Sequence, residues 1–152
     1  MEERPAEPVL IRMILDQLNT VSRLAVLEGA ERTQRAAKLA SLLVRHLYSE
    51  PAGSCPLESE LRVVNVATEL AGIRTGESVE LALVNEDRAP AMVPRGVIVR
   101  PILRILSEDL DGAPRPVLRI DFERSSVTIS ASTGDGAETV ARERLPMEES
   151  SS

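Results

Sequence analysis

Ile11-Arg12-Met13-Ile14-Leu15-Asp16-Gln17-Leu18-Asn19-Thr20 lies inside a longer run whose apolar residues recur three and four apart: Leu10, Met13, Ile14, Leu18, Val21, Leu24, Ala25 and Leu27. That spacing predicts an amphipathic helix of about five turns, beginning near Pro8 and ended by Gly29. A second helical pattern follows. It has Ala36, Leu39, Ala40, Leu42, Leu43 and Leu47 on one side and Glu31, Arg32, Arg35 and Lys38 elsewhere. Two antiparallel helices joined by a short turn cannot bury both apolar stripes against each other. The expected remedy is a second copy of the chain, so that a helical hairpin over residues 8–50 pairs into a dimeric four-helix bundle. A monomer would leave a long apolar strip in water.

The kind of apolar residue narrows the function. Among 152 residues there is no Trp, with Tyr48 and Phe122 the only aromatics, so the core must be aliphatic and offers little surface for stacking bases. A net charge of -6 disfavours nucleic acid and anionic membrane surfaces. Lys38 is the only lysine among 18 basic residues, and the arginines are scattered. A single cysteine, Cys55, excludes an intrachain disulfide and suits a reducing compartment. With no long apolar run and with Glu2-Glu3 at the start, the expectation is a soluble cytoplasmic protein.

Residues 1–7 read as a frayed lead-in and Pro51-Ala52-Gly53-Ser54-Cys55-Pro56 as a linker. Leu57 to about Ile73 then reads as a third helix, with Leu61, Val64, Ala67, Leu70 and Ala71 on one face. Ser78 to Asn85 alternates as a half-buried strand. Pro94 suits the start of a buried helix over Arg95 to about Glu108. Val117–Phe122 and Val127–Ala131 read as two strands joined through Glu123-Arg124-Ser125-Ser126. Ser132-Thr133-Gly134-Asp135-Gly136 is a break, Glu138 to Leu145 a short helical stretch, and the residues from 147 onward a disordered tail.

Five strings carry a further pattern: Ile11 to Thr20; Leu57-Glu58-Ser59-Glu60-Leu61 with Arg74-Thr75-Gly76; Val93-Pro94 with Arg100-Pro101-Ile102-Leu103; Ser132 to Gly136; and Val140-Ala141-Arg142-Glu143-Arg144-Leu145. In this order they resemble the cytoplasmic core of LytS-like sensor histidine kinases, over about residues 9–145. The resemblance implies a dimerising hairpin that carries a phospho-accepting histidine, followed by a Bergerat-type ATP-binding domain. It also implies that the chemistry is gone. The family pattern P-H-F-L-F-N-x-L-N-T puts Arg12 at the histidine position, and a guanidinium has no lone pair with which to attack phosphorus. The family's V-P-x-x-x-L-Q-P-L-V-E-N-A puts Ile105 at the magnesium-holding asparagine, and a hydrocarbon offers Mg²⁺ no oxygen. The D-x-G-x-G box keeps Gly134 and Gly136 but has Ser132 for its aspartate. The string ending in Arg142-Glu143-Arg144-Leu145 follows almost at once, as though the ATP lid had been cut out.

Each of these residues also has a plain reading. Arg12 and Asp16, four apart, can pair on the helix surface for about 0.3 kcal/mol. The resemblance instead puts Arg12, with Asp16 and Asn19, on the face that a receiver domain approaches. His46, the only histidine, lies near the end of the second helix, away from the family's acceptor position. Cys55 has no basic neighbour in sequence to lower its pKa, and a lone histidine with a lone cysteine argues against zinc. Gly134-Asp135-Gly136 in isolation is a turn.

The fold expected is α+β: the hairpin bundle over residues 8–50, then a small truncated α/β sandwich over 57–146 resembling the histidine kinase ATPase domain, and a tail over 147–152. The function expected is that of a catalytically inactive, homodimeric relative of these kinases, with no cofactor and no metal. It binds a response regulator receiver domain or a true histidine kinase. The alternatives are a phosphotransferase relaying through His46, or a structural dimer module that binds another small ligand.

Overall fold

The run around Ile11 to Thr20 forms helix α1, Glu7–Glu28, and the second pattern forms α2, Glu31–Val44, which runs on into a π-helical turn at Arg45–Ser49. The computed structural model describes residues 7–49, 53–134 and 138–147. Residues 1–6 of the expected lead-in, Pro51 and Ala52 of the expected linker, Asp135 and Gly136 of the glycine box, and residues 148–152 of the expected tail lie outside these. The chain divides into two compact units with the boundary between Ala52 and Gly53. Its described residues make a mixed α+β structure of four helices and two sheets.

In the first unit α1 and α2 are joined by Gly29 and Ala30 and pack on one another. Gly29 takes φ +72°, a left-handed backbone that glycine enters without a Cβ penalty. The turn is closed by the Ala30 N–H donating to the Ala25 carbonyl at 2.8 Å. The covered side of α1 is Ile11, Leu15, Leu18, Ser22 and Ala25, at helical spacing. In α2 the buried residues are Ala37, Leu39, Ser41 and Leu43, and the Ser41 hydroxyl donates to the Ala37 carbonyl at 2.9 Å. The rest of α1's apolar residues stay exposed, among them Leu10, Met13, Ile14, Val21 and Leu24.

The second unit opens with strand β1, Ser54–Pro56, and helix α3, Leu57–Thr75. Then come strand β2 (Glu80–Val84), a 3₁₀ turn (Glu86–Arg88), strand β3 (Met92–Pro94) and helix α4 (Val99–Arg104), which continues into a π turn at Ile105–Asp109. Strands β4 (Val117–Phe122), β5 (Ser126–Thr133) and β6 (Glu138–Pro146) complete it. The main sheet runs β2-β4-β5-β6. β2 and β4 are parallel, which demands the long crossover that holds α4, and the remaining pairs are antiparallel. Alternation along β4 and β5 puts Leu118, Ile120, Phe122, Val127, Ile129 and Ala131 in the core, with Val63, Val64, Ala67 and Ala71 of α3 and Val99, Ile102, Ile105 and Leu106 from the α4 segment. Arg104 pairs with Glu143, linking α4 to β6.

Five sequence expectations are corrected. Residues 54–56 of the expected linker are a strand, paired antiparallel with β3, with Cys55 opposite Val93 and both buried. Proline-flanked Ser-Cys looks like a spacer, but its alternate residue is apolar enough to bury. The helix expected from Arg95 starts only at Val99, because Pro94 belongs to β3 and Gly96 takes φ +85°. Glu138 to Leu145 is not helical. It is the edge strand β6, in which helix-favouring Arg-Glu-Arg-Leu is overridden by the hydrogen-bonding edge of β5. Ser132 and Thr133 accordingly extend β5 and do not break it. Met147, assigned above to the tail, is buried, and its N–H donates to the Ser125 carbonyl at 2.8 Å.

The β4–β5 turn is fastened to β6 by polar groups. The Ser126 hydroxyl donates to Glu123 at 2.6 Å, and Arg144 donates to the same Glu123 oxygen at 3.0 Å and to Ser126 Oγ at 3.2 Å. The Ser126 bond and then the Arg144 charge hold the Glu123 carboxyl below its ordinary value. No helix among the described residues is long and apolar enough to cross a membrane.

Candidate functional site

Arg12, Asp16 and Asn19 follow at i, i+4 and i+7, which places them on one face of α1. All three are exposed. Their face is neither the covered stripe of Ile11, Leu15, Leu18, Ser22 and Ala25 nor the exposed apolar stripe of Leu10, Ile14, Val21 and Leu24. α1 therefore has three sides: one against α2, one apolar and bare, and one polar. His46 is buried in the π-helical turn, at 9% exposure.

Of the four positions that the resemblance assigned to nucleotide binding, three lie among the described residues of the second unit. Ile105 is fully buried in the core at the end of α4. Ser132 sits in β5 at an irregularity of the β5–β6 ladder, paired across the sheet with Val117. Gly134 ends β5, and its N–H donates to the Pro114 carbonyl at 2.8 Å. Gly134 and Val117 line a shallow cleft with Glu77, Ser78, Val79, Glu80, Arg115 and Pro116, and Ile105 is not among the residues lining it. One carboxylate there is engaged by the backbone, since Glu77 accepts the Arg115 N–H at 3.0 Å. That bond supports Arg115 at φ +46°, a conformation costly for a residue with a Cβ. Gly136 lies outside the described residues. The Arg142 to Leu145 string lies on strand β6 and not on the short helical stretch expected from the sequence.

A built polar centre not singled out from the sequence lies on α3. Glu60 is completely buried on α3. Its Oε2 accepts the Gly96 N–H at 2.7 Å, and its Oε1 accepts the Ile98 and Val99 N–H groups at 3.0 and 3.2 Å. These amides belong to the segment leading into α4, where no preceding turn supplies partners, so one carboxylate does what a capping side chain does elsewhere. The signal was present: Glu60, Val64, Ala67 and Ala71 recur four, three and four apart on the buried stripe of α3. A carboxylate on such a stripe must find donors inside the protein.

Cys55 lies beside this centre, its Sγ 4.0 Å from Glu60 Oε2. Burial pushes the thiol pKa up and the Glu60 charge adds to that, while Arg95 acts in the opposite sense. A thiol raised in this way keeps its proton longer in the folded than in the unfolded chain. It contributes stability that is fully present below the unfolded thiol value and is lost as pH rises through the folded one. Urea midpoints are therefore expected to stay level up to about pH 9 and to fall above it. Cys55→Ala should flatten that fall, and in the native wild type the thiol should resist aromatic disulfide reagents at neutral pH.

No protein-family model matches the chain, and no curated protein is significantly similar to it.

Proposed function

We propose that the chain is a cytoplasmic, catalytically inactive relative of LytS-like histidine kinases, a homodimeric regulatory protein that works through protein–protein contact in two-component-type signalling. The observation that carries this is the bare apolar stripe of α1. Leu10, Ile14, Val21 and Leu24 are each 40–55% exposed on a helix already packed along another side. Covering one such side chain gains on the order of 1 kcal/mol, and covering the stripe needs a second apolar helix surface. A second copy offers one, turning the α1–α2 hairpin into half of a four-helix bundle. Arg12, Asp16 and Asn19, on a different face of α1, stay open in such a dimer.

Absence of chemistry is supported by residue type. Arg12 cannot accept a phosphoryl group, and Ile105 is a buried hydrocarbon where the resemblance calls for an oxygen ligand. Relay through His46 is not favoured, since a docking domain cannot reach a side chain buried to this degree. The partner that fits is a receiver domain, whose acidic phosphorylation pocket complements Arg12, or a kinase whose dimer this hairpin imitates. The mechanism is competition or sequestration.

Fluorescence anisotropy with purified receiver domains tests the reading. At least one is expected to bind the full chain, and Arg12→Glu should weaken it by about tenfold, or ~1.4 kcal/mol. Equal binding by wild type and Arg12→Glu, or binding of neither a receiver domain nor a histidine kinase, would contradict it.

A further inference from the structure

The bare stripe of α1 has a finer pattern than apolarity. Leu10, Ile14, Gln17, Val21 and Leu24 follow at spacings of four, three, four and three, the repeat of a two-helix seam. The β-branched residues Ile14 and Val21 fall on one seam position and Leu10 and Leu24 on the other. In a parallel seam this division favours two strands over three or four. Gln17 occupies the middle of the seam, at the leucine-type position, and it is exposed like its neighbours.

We infer that Gln17 is the specificity-determining residue of the self-association surface, fixing two copies of α1 parallel and in register; this rests on the dimer proposed above. A lone amide among aliphatic side chains is costly to bury without a hydrogen-bond partner. In a parallel, in-register pair each Gln17 meets the other copy's Gln17, and each amide supplies the other with both a donor and an acceptor. A slip by one heptad in either direction puts Gln17 opposite Leu10 or Leu24 and leaves both amides unsatisfied. An antiparallel pairing centred on Gln17 also matches the amides, but it sets Leu10 against Leu24 and Ile14 against Thr20, separating the β-branched layers. The polar residue thus selects register, and the residues around it select direction. The same polar residue lowers affinity, as a single polar position does in short helical seams.

Disulfide trapping of the full chain tests this. Leu10→Cys and Leu24→Cys variants are prepared separately and also mixed, with Cys55 buried and so slow to react. Each variant alone is expected to cross-link to itself in an otherwise wild-type chain, with no enrichment of the mixed product. Adding Gln17→Leu should tighten self-association by roughly tenfold in sedimentation equilibrium. It should also relax selectivity, so that out-of-register cross-links, or species larger than a dimer, appear. Cross-linking only in the mixed sample overturns the parallel seam. A Gln17→Leu chain that matches wild type in affinity and cross-link pattern overturns the role of Gln17. A dimer that forms with no cross-link at either position refutes this inference and leaves the proposed dimer standing, whereas a chain that stays monomeric at every concentration refutes both.

Discussion

Glu60→Ala is expected to remove about 3 kcal/mol of stability or more, a large fraction of what a domain of this size possesses. The Gly96, Ile98 and Val99 N–H groups all end on this carboxylate, and all three residues are buried. Truncation strands three donors with no water to take them, at roughly 1–3 kcal/mol for each group that cannot relax. It also leaves a cavity where the side chain stood. By melting temperature the loss corresponds to roughly 12 °C or more for a unit of about a hundred residues. Glu60→Gln should cost less, about 1–2 kcal/mol: its oxygen still accepts, but its NH₂ confronts a backbone donor. Glu58→Ala, on an exposed position of the same helix, should change stability by less than about 0.5 kcal/mol. Were Glu60→Ala to unfold with the wild-type midpoint, the carboxylate would not be what holds the entry to α4.

Elements governed by local pattern were legible. The three- and four-residue spacing of Leu10 to Leu27 becomes α1, Leu57 to Ile73 falls within α3, and the alternation of Val117 to Phe122 is β4 residue for residue. What was illegible was decided at a distance. β1 and β3 are too short to show a period and exist because Cys55 and Val93 pair across a separation of 38 residues. β6 has the composition of a helix, and only the unsatisfied edge of β5 makes it a strand. The start of α4 is displaced from Arg95 to Val99, where Glu60, far back in the sequence, takes the Gly96, Ile98 and Val99 amides. The candidate surfaces divide in the same way. Exposure of Arg12, Asp16 and Asn19 follows from helix periodicity alone. The sequence could not say which of α1's apolar residues α2 covers, and this separation of a covered from a bare stripe is what makes a dimer seam specific.

The second large effect concerns that seam. Val21→Glu is expected to weaken self-association by at least about a hundredfold, ~3 kcal/mol, because it removes a valine that the proposed dimer would cover and sets two like charges together. Val26→Glu is the matched control. Val26 is more exposed than Val21, 55% against 40%, yet it lies away from the stripe of Leu10, Ile14, Val21 and Leu24. The same substitution there should leave the dimer intact. Sedimentation equilibrium of the two variants separates a specific seam from general stickiness of an apolar helix. Equal weakening by both would mean that hydrophobicity, and not the seam, drives association. Circular dichroism should show α1 retained in each, since both positions are already open to water in the single chain.

The proposed function has the scaffold of a kinase kept without its chemistry. Incubation of the full chain with γ-labelled ATP and magnesium, followed by equilibrium dialysis and by denaturing electrophoresis, tests it most directly. No saturable nucleotide binding is expected up to millimolar ATP, and no label should be retained by the protein. Saturable binding, or a stable phosphorylated band, would contradict the proposed function.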